Sequence, residues 1–161
     1  MSTASSPSPI GRDSPLAGQT VVVIGGSAGI GLETARLARA EGAKLILAAR
    51  TPEPLQRAAS ELGALSSAAF DATDFERLAK FFDGLPTPID HILVTGPGPY
   101  YAPLAEFDFE KARRHVETHL LLPIHVARNA MGKVRPGGTV LFTWVVPAAA
   151  ALQRVMRSSP R

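Results

Sequence analysis

The sequence predicts a doubly wound α/β domain on a parallel sheet of about five strands, in the order 3-2-1-4-5. Three observations carry that expectation. Short apolar runs alternate along the chain with amphipathic stretches of helical length, which is the rhythm of βαβ units. The first apolar run, Val21-Val22-Val23-Ile24, leads into Gly25-Gly26-Ser27-Ala28-Gly29-Ile30-Gly31, a glycine turn that opens a helix. Such a turn places backbone N–H groups under a phosphate, so it points to a nucleotide lying across the carboxyl ends of the strands. Right-handed crossovers then leave that strand order as the favoured one.

The elements follow in order. The first strand is expected at Thr20–Ile24. The first helix, about Gly29–Glu41, carries Ile30, Thr34, Leu37, Ala38 and Glu41 at helical spacing and stops at Gly42. After a second strand at Lys44–Ala49, Thr51 and Pro52 form an N-cap and first-turn pair for a helix over Pro52–Leu62 that Gly63 ends. A third strand at Leu65–Phe70 precedes a helix at Asp74–Asp83, capped by Asp74. The fourth strand, Ile89–Thr95, precedes one long helical stretch over Asp108–Val134, and the fifth strand is Thr139–Val146.

Composition narrows the function classes. A chain of 161 residues with 45% hydrophobic content suits one globular domain with a real core. No apolar run approaches the roughly 20 residues of a membrane helix, and the Ser/Pro-rich start lacks a secretory segment, so a cytoplasmic protein away from membranes is expected. With no cysteine, disulfides and thiolate metal sites are excluded, and redox chemistry requires a bound cofactor. The net charge of +3 is matched by Arg154, Arg157 and Arg161 in an acid-free tail; without an aromatic-interleaved basic face, no nucleic-acid partner is expected.

The glycine spacing G-x-x-x-G-x-G differs from the G-x-G-x-x-G of ordinary dinucleotide folds, and no Gly-Lys-Ser/Thr follows it, which argues against a P-loop. Gly25 turns the chain off the strand, Gly29 lets a pyrophosphate approach the backbone, and Gly31 lets the helix pack closely. This pattern resembles the short-chain dehydrogenase/reductase family, with Ile24 where the family has threonine. The likeness continues through Arg50 after the second strand, Asp71 after the third, Thr95-Gly96-Pro97-Gly98 in place of N-N-A-G, and Gly137-Gly138-Thr139-Val140-Leu141-Phe142 as the fifth strand.

The resemblance implies a Rossmann-like dinucleotide-binding domain over residues 16–146, between a disordered tail at 1–15 and an irregular basic tail at 147–161, without the family's last strands. The expected cofactor-binding residues are Gly25, Ser27, Gly29, Ile30, Gly31, Arg50, Thr51, Asp71, Gly96 and Gly98. Arg50 is the most informative. An acid at the end of the second strand selects NAD, whereas an arginine there pairs with a 2′-phosphate and predicts NADP(H), with Thr51 and Ser27 as hydroxyl partners. Asp71 is either the residue that meets the adenine amino group or a turn aspartate leading into the next helix. Gly96 and Gly98 let the backbone approach the cofactor.

His115 and His119 have metal-ligand spacing on one helix, but no third ligand is evident and no metal is expected. Pro123 lacks an N–H, so a continuous helix should lose the bond to the His119 carbonyl and kink there. By resemblance that carbonyl belongs to a proton-relay position.

Family chemistry on a small carbonyl or alcohol needs a tyrosine, a lysine four residues later and a serine. Here Tyr100 and Tyr101 are followed four residues on by Leu104 and Ala105, and Trp144 and Val145 stand where the serine is expected. Three readings follow: a divergent or shortened hydride-transfer enzyme, a non-catalytic NADP(H)-binding module, or a truncated or frame-shifted product. Self-association through strand five or the long helix is expected as well.

Overall fold

The computed structural model describes residues 14–96, 98 and 100–144. The expectations for the chain before Ser14 and for Val145 onward, including the basic tail, lie outside the described residues.

The five strands are β1 (Thr20–Ile24), β2 (Lys44–Ala49), β3 (Ser66–Ala69), β4 (Ile89–Gly96) and β5 (Val134–Trp144), all parallel in the order β3-β2-β1-β4-β5. The apolar runs are nearly continuous because both faces of the sheet are covered. On one face Val22, Ile24, Ile46, Ala48, Ile92 and Val94 pack with Leu78 and Phe82 of α3 (Phe75–Asp83) and with Leu122 and Val126 of α5 (Leu122–Ala130). On the other, Val21, Val23, Leu45, Leu47 and Leu93 meet α1 (Gly29–Ala40) and α2 (Pro52–Leu62). Alternate strand residues therefore feed two separate cores.

Local signals set most boundaries. Gly63 ends α2 in the left-handed conformation at φ 56°, and Asp74 caps α3 by accepting from the Arg77 N–H. Asp108 caps α4 (Phe109–Val116) by accepting from the N–H groups of Glu110 and Lys111. At the amino end of the sheet, Thr20 N–H donates to Asp90 at 2.7 Å, and Arg135 donates to the other oxygen of the same carboxylate. His91 bridges Thr139 at 2.7 Å and Gln19 at 2.6 Å, so β4 is tied by side chains to β5 and to the residue before β1. No helix among the described residues is long and apolar enough to cross a membrane.

Three expectations are corrected. Ile30 and Leu37 are exposed, and the buried face of α1 is Gly31, Ala35 and Ala38, small residues that let the helix lie close to the sheet. The long helical stretch is not one helix to Val134. A π turn spans Glu117–Leu121 between α4 and α5, and Gly132 at φ 75° ends the run before β5. In that turn the Leu122 N–H donates to the Glu117 carbonyl five residues back, so the bonding has already widened from the α pattern just before Pro123, which has no N–H to give. Finally, β5 begins earlier than Thr139, with a register shift across Pro136-Gly137-Gly138, where a residue without an N–H and a glycine at φ 78° are tolerated as a bulge.

Candidate functional site

The carboxyl end of β1 turns sharply at Gly25, with φ 93°. A Cβ there would stand 2.1 Å from Thr95 Oγ1, and one on Gly31 would stand 2.2 Å from the Gly25 carbonyl oxygen. Both glycines are therefore required by close packing of strand, turn and helix. Gly29 differs: it has φ +54°, and a Cβ on it would meet nothing within 4 Å. The N-cap position of α1 is Ala28, without a side-chain cap, so no capping side chain takes up the first N–H groups of the helix.

A cavity of about 560 Å³ opens at the carboxyl ends of β1 to β4, alongside the helical run after β4. Of the residues expected from sequence, Gly25, Ser27, Arg50, Thr51, Asp71 and Gly96 line it. Gly29, Ile30, Gly31 and Gly98 do not: Gly29 and Ile30 are exposed on the helix start, Gly31 is buried beneath Gly25, and Gly98 lies half-buried in the loop past β4. Thr51 holds the N-cap position of α2 without bonding the helix through its side chain.

Asp71 takes its turn role: Oδ1 accepts from Thr73 N–H at 2.9 Å and from Thr73 Oγ1 at 2.8 Å. Burial pushes its carboxyl up, but the two Thr73 bonds and the nearby Arg50 charge outweigh that and hold it below the ordinary carboxylate value. Gly96 is bare for a reason not visible in sequence. A Cβ on it would stand 2.4 Å from Nε1 of Trp144, whose indole lies against it. That Nε1 is buried and has no hydrogen-bond partner among the described residues.

The helical run after β4 contributes residues that sequence reasoning did not assign to the site: Arg114, Glu117, Thr118 and Leu122. Their four-residue spacing at 114, 118 and 122 was the available signal. His115 also lines the cavity and sits in a stack, 5.8 Å from the Tyr100 ring and 5.0 Å from the His119 ring, with Trp144 a further 5.5 Å beyond His119. Burial, and secondarily the adjacent His119, lower the His115 pKa. The two histidines are thus occupied with each other and with aromatic rings. Among the described residues no three His, Cys, Asp or Glu side chains come together as a metal site would require.

The sequence pattern of the short chain dehydrogenases matches residues 19–155. The chain belongs to the short-chain dehydrogenase family. A short-chain dehydrogenase/reductase of Stachybotrys chlorohalonatus is 28% identical over 132 residues, covering 74% of this chain and 50% of that protein. Among solved structures, the citronellol catabolism dehydrogenase of Pseudomonas aeruginosa is 28% identical with a TM-score of 0.70, over 83% of this chain and 58% of its own. A short-chain dehydrogenase of Escherichia coli complexed with NADPH shares the fold at 21% identity and a TM-score of 0.69, over 81% of this chain and 60% of its own. The chain therefore spans about half the length of that curated relative.

Proposed function

We propose that this member of the oxidoreductase family holds NADP(H), and that residues 16–146 are its dinucleotide-binding domain. The observation that carries the reading is Arg50: it directly follows β2 and lines the same cavity as the glycine turn. An acid in that place bonds a free ribose 2′-hydroxyl, whereas a guanidinium fits the 2′-phosphate. Supporting it are the close-packed Gly25 and Gly31, which a Cβ would disrupt, and the open backbone at Gly29 where the pyrophosphate would approach. Ser27 and Thr51 line the same cavity as hydroxyl partners, with Asp71 and Gly96 nearby.

When bound, the nicotinamide dinucleotide supplies or accepts a hydride, and family membership favours a small carbonyl or alcohol as the other reactant. This chain's own residues bind and orient the cofactor. Neither of its two tyrosines is followed by a lysine four residues later, and Trp144 with Val145 fills the expected serine position, so proton transfer to a substrate has no evident donor here. We therefore read the chain as a cofactor-holding unit with little turnover of its own, self-associating and acting in the cytoplasm. Titration with NADPH and NADH tests the assignment: tighter binding of NADPH is expected, and equal curves would sink it.

A further inference from the structure

The cavity that receives Arg50 from the end of β2 receives a second arginine, Arg114, from α4. Among the described residues neither guanidinium forms an ion pair or a side-chain hydrogen bond, whereas Arg36, Arg77 and Arg135 each hold a carboxylate. Glu117, three residues after Arg114, is not paired with it. Asp71 is already engaged by Thr73. Arg50 and Arg114 thus line one cavity of about 560 Å³ together with Asp71, whose carboxylate lies near Arg50, and Glu117, and neither guanidinium is closed off by a salt bridge.

Arg114 reaches this position on a fixed element. Thr118 and Leu122 line the same cavity, Leu122 is sunk in the core at 3% exposure, and Thr118 Oγ1 donates to the Arg114 carbonyl at 2.9 Å. The helix is anchored at Leu122 and carries the guanidinium at the cavity's exposed rim.

We propose that Arg114 is a second phosphate-reading residue, which with Arg50 grips the 2′-phosphate of the dinucleotide and makes selectivity for NADP over NAD a joint property of strand end and helix. The inference rests on the NADP(H) reading above and deepens it. A phosphate monoester carries close to two negative charges at neutral pH and offers three acceptor oxygens, so it satisfies two guanidinium forks. A 2′-hydroxyl offers neither, and Arg114 gains nothing from NAD.

The test is calorimetric titration of the full chain, unaltered and as Arg114→Ala, Arg114→Lys and Arg50→Ala, with NADP+, NAD+, 2′-AMP and 5′-AMP. Arg114→Ala should weaken NADP+ and 2′-AMP by about tenfold or more and leave NAD+ and 5′-AMP within about twofold, with Arg114→Lys recovering part of the loss. Circular dichroism checks that the exposed substitution leaves the fold intact. Equal losses for NADP+ and NAD+, or none for either, overturn the proposal. A preference for NADP+ that vanishes in Arg50→Ala but survives in Arg114→Ala overturns the role of Arg114 alone. An unaltered chain that binds NADP+ and NAD+ equally overturns the underlying reading with it.

Discussion

Thr95 Oγ1 lies 3.3 Å from the carbonyl oxygen of Gly25, within hydrogen-bond reach, so the end of β4 is fastened to the glycine turn at the end of β1. The same carbonyl is the atom a Cβ on Gly31 would strike. Strand, turn and helix start are one packed unit, and the backbone that faces a ligand is held from behind.

Gly31→Ala and Gly29→Val should separate packing from access. The first drives a methyl group into the Gly25 carbonyl and should cost about 1–3 kcal/mol of stability together with weaker dinucleotide binding. The second points into open space, where its left-handed backbone costs roughly 1–2 kcal/mol and its side chain blocks a pyrophosphate, so binding should fall while helical content largely survives. Thermal melts and NADPH titration of both variants check this. Undiminished binding by Gly29→Val would move the phosphate site elsewhere.

Arg50→Ala should reduce the preference for NADPH over NADH by roughly 1.5–3 kcal/mol, the worth of a charge-assisted pair. NADH affinity should change little. Parallel fluorescence titrations with the two nucleotides measure the difference, and a variant that keeps the full preference would exclude Arg50 as its source.

Asp90 predicts how acid acts on the fold. Burial pushes its carboxyl up, but the Thr20 N–H, the Arg135 guanidinium and the nearby His91 outweigh that and hold it below the ordinary value. A carboxyl depressed in the folded state adds stability above its unfolded value of about 3.9, and that stability drains away as pH falls through the folded value. Stability should therefore hold down to about pH 4 and drop below it, and Asp90→Asn should lower the plateau and flatten part of the drop. Denaturant melts from pH 7 to pH 3 read both, and an unchanged acid limb in Asp90→Asn would remove Asp90 from the cause.

Catalysis and association can be tested on one sample. If the chain holds the cofactor without a proton donor, as proposed, NADPH oxidation with a panel of ketones and aldehydes should stay near background, because general acid–base help is worth about 10²–10⁴-fold. Phe109 at 78% exposure, Leu120 at 57% and Ile124 at 56% leave apolar side chains on the outer face of the helical run, and β5, with Leu141 60% exposed, is the outer strand among the described residues. Light scattering should find oligomers. Robust turnover by a strictly monomeric protein would contradict both expectations.

Strand order and most element positions were legible because parallel strands buried on both faces write themselves as apolar runs; β1 and β2 match their expected bounds. The buried face of α1 was not, because counting bulky side chains favours Ile30 and Leu37 while close approach to the sheet selects Gly31, Ala35 and Ala38. The strand-end half of the cavity could be read from topology, since residues just past β1, β2, β3 and β4 must converge. Arg114 could not, because it comes from a helix far along the chain and comes to line the same cavity as Arg50 only through the fold. The contact of Trp144 with Gly96 likewise joins the ends of two strands and leaves no local mark.

The five residues Glu117–Leu121 contain one more amino acid than an ordinary helical turn would use. The surplus residue is taken up inside the turn, so the faces on either side of it stay in phase. Deleting a single residue there would let regular i to i+4 bonding resume and leave Arg114 and His115 on the same side of the helix relative to the anchored Leu122 and Val126. Inserting one more residue has no such outlet: it would turn Arg114 and His115 by about 100° off the cavity while Leu122 and Val126 stay in the core.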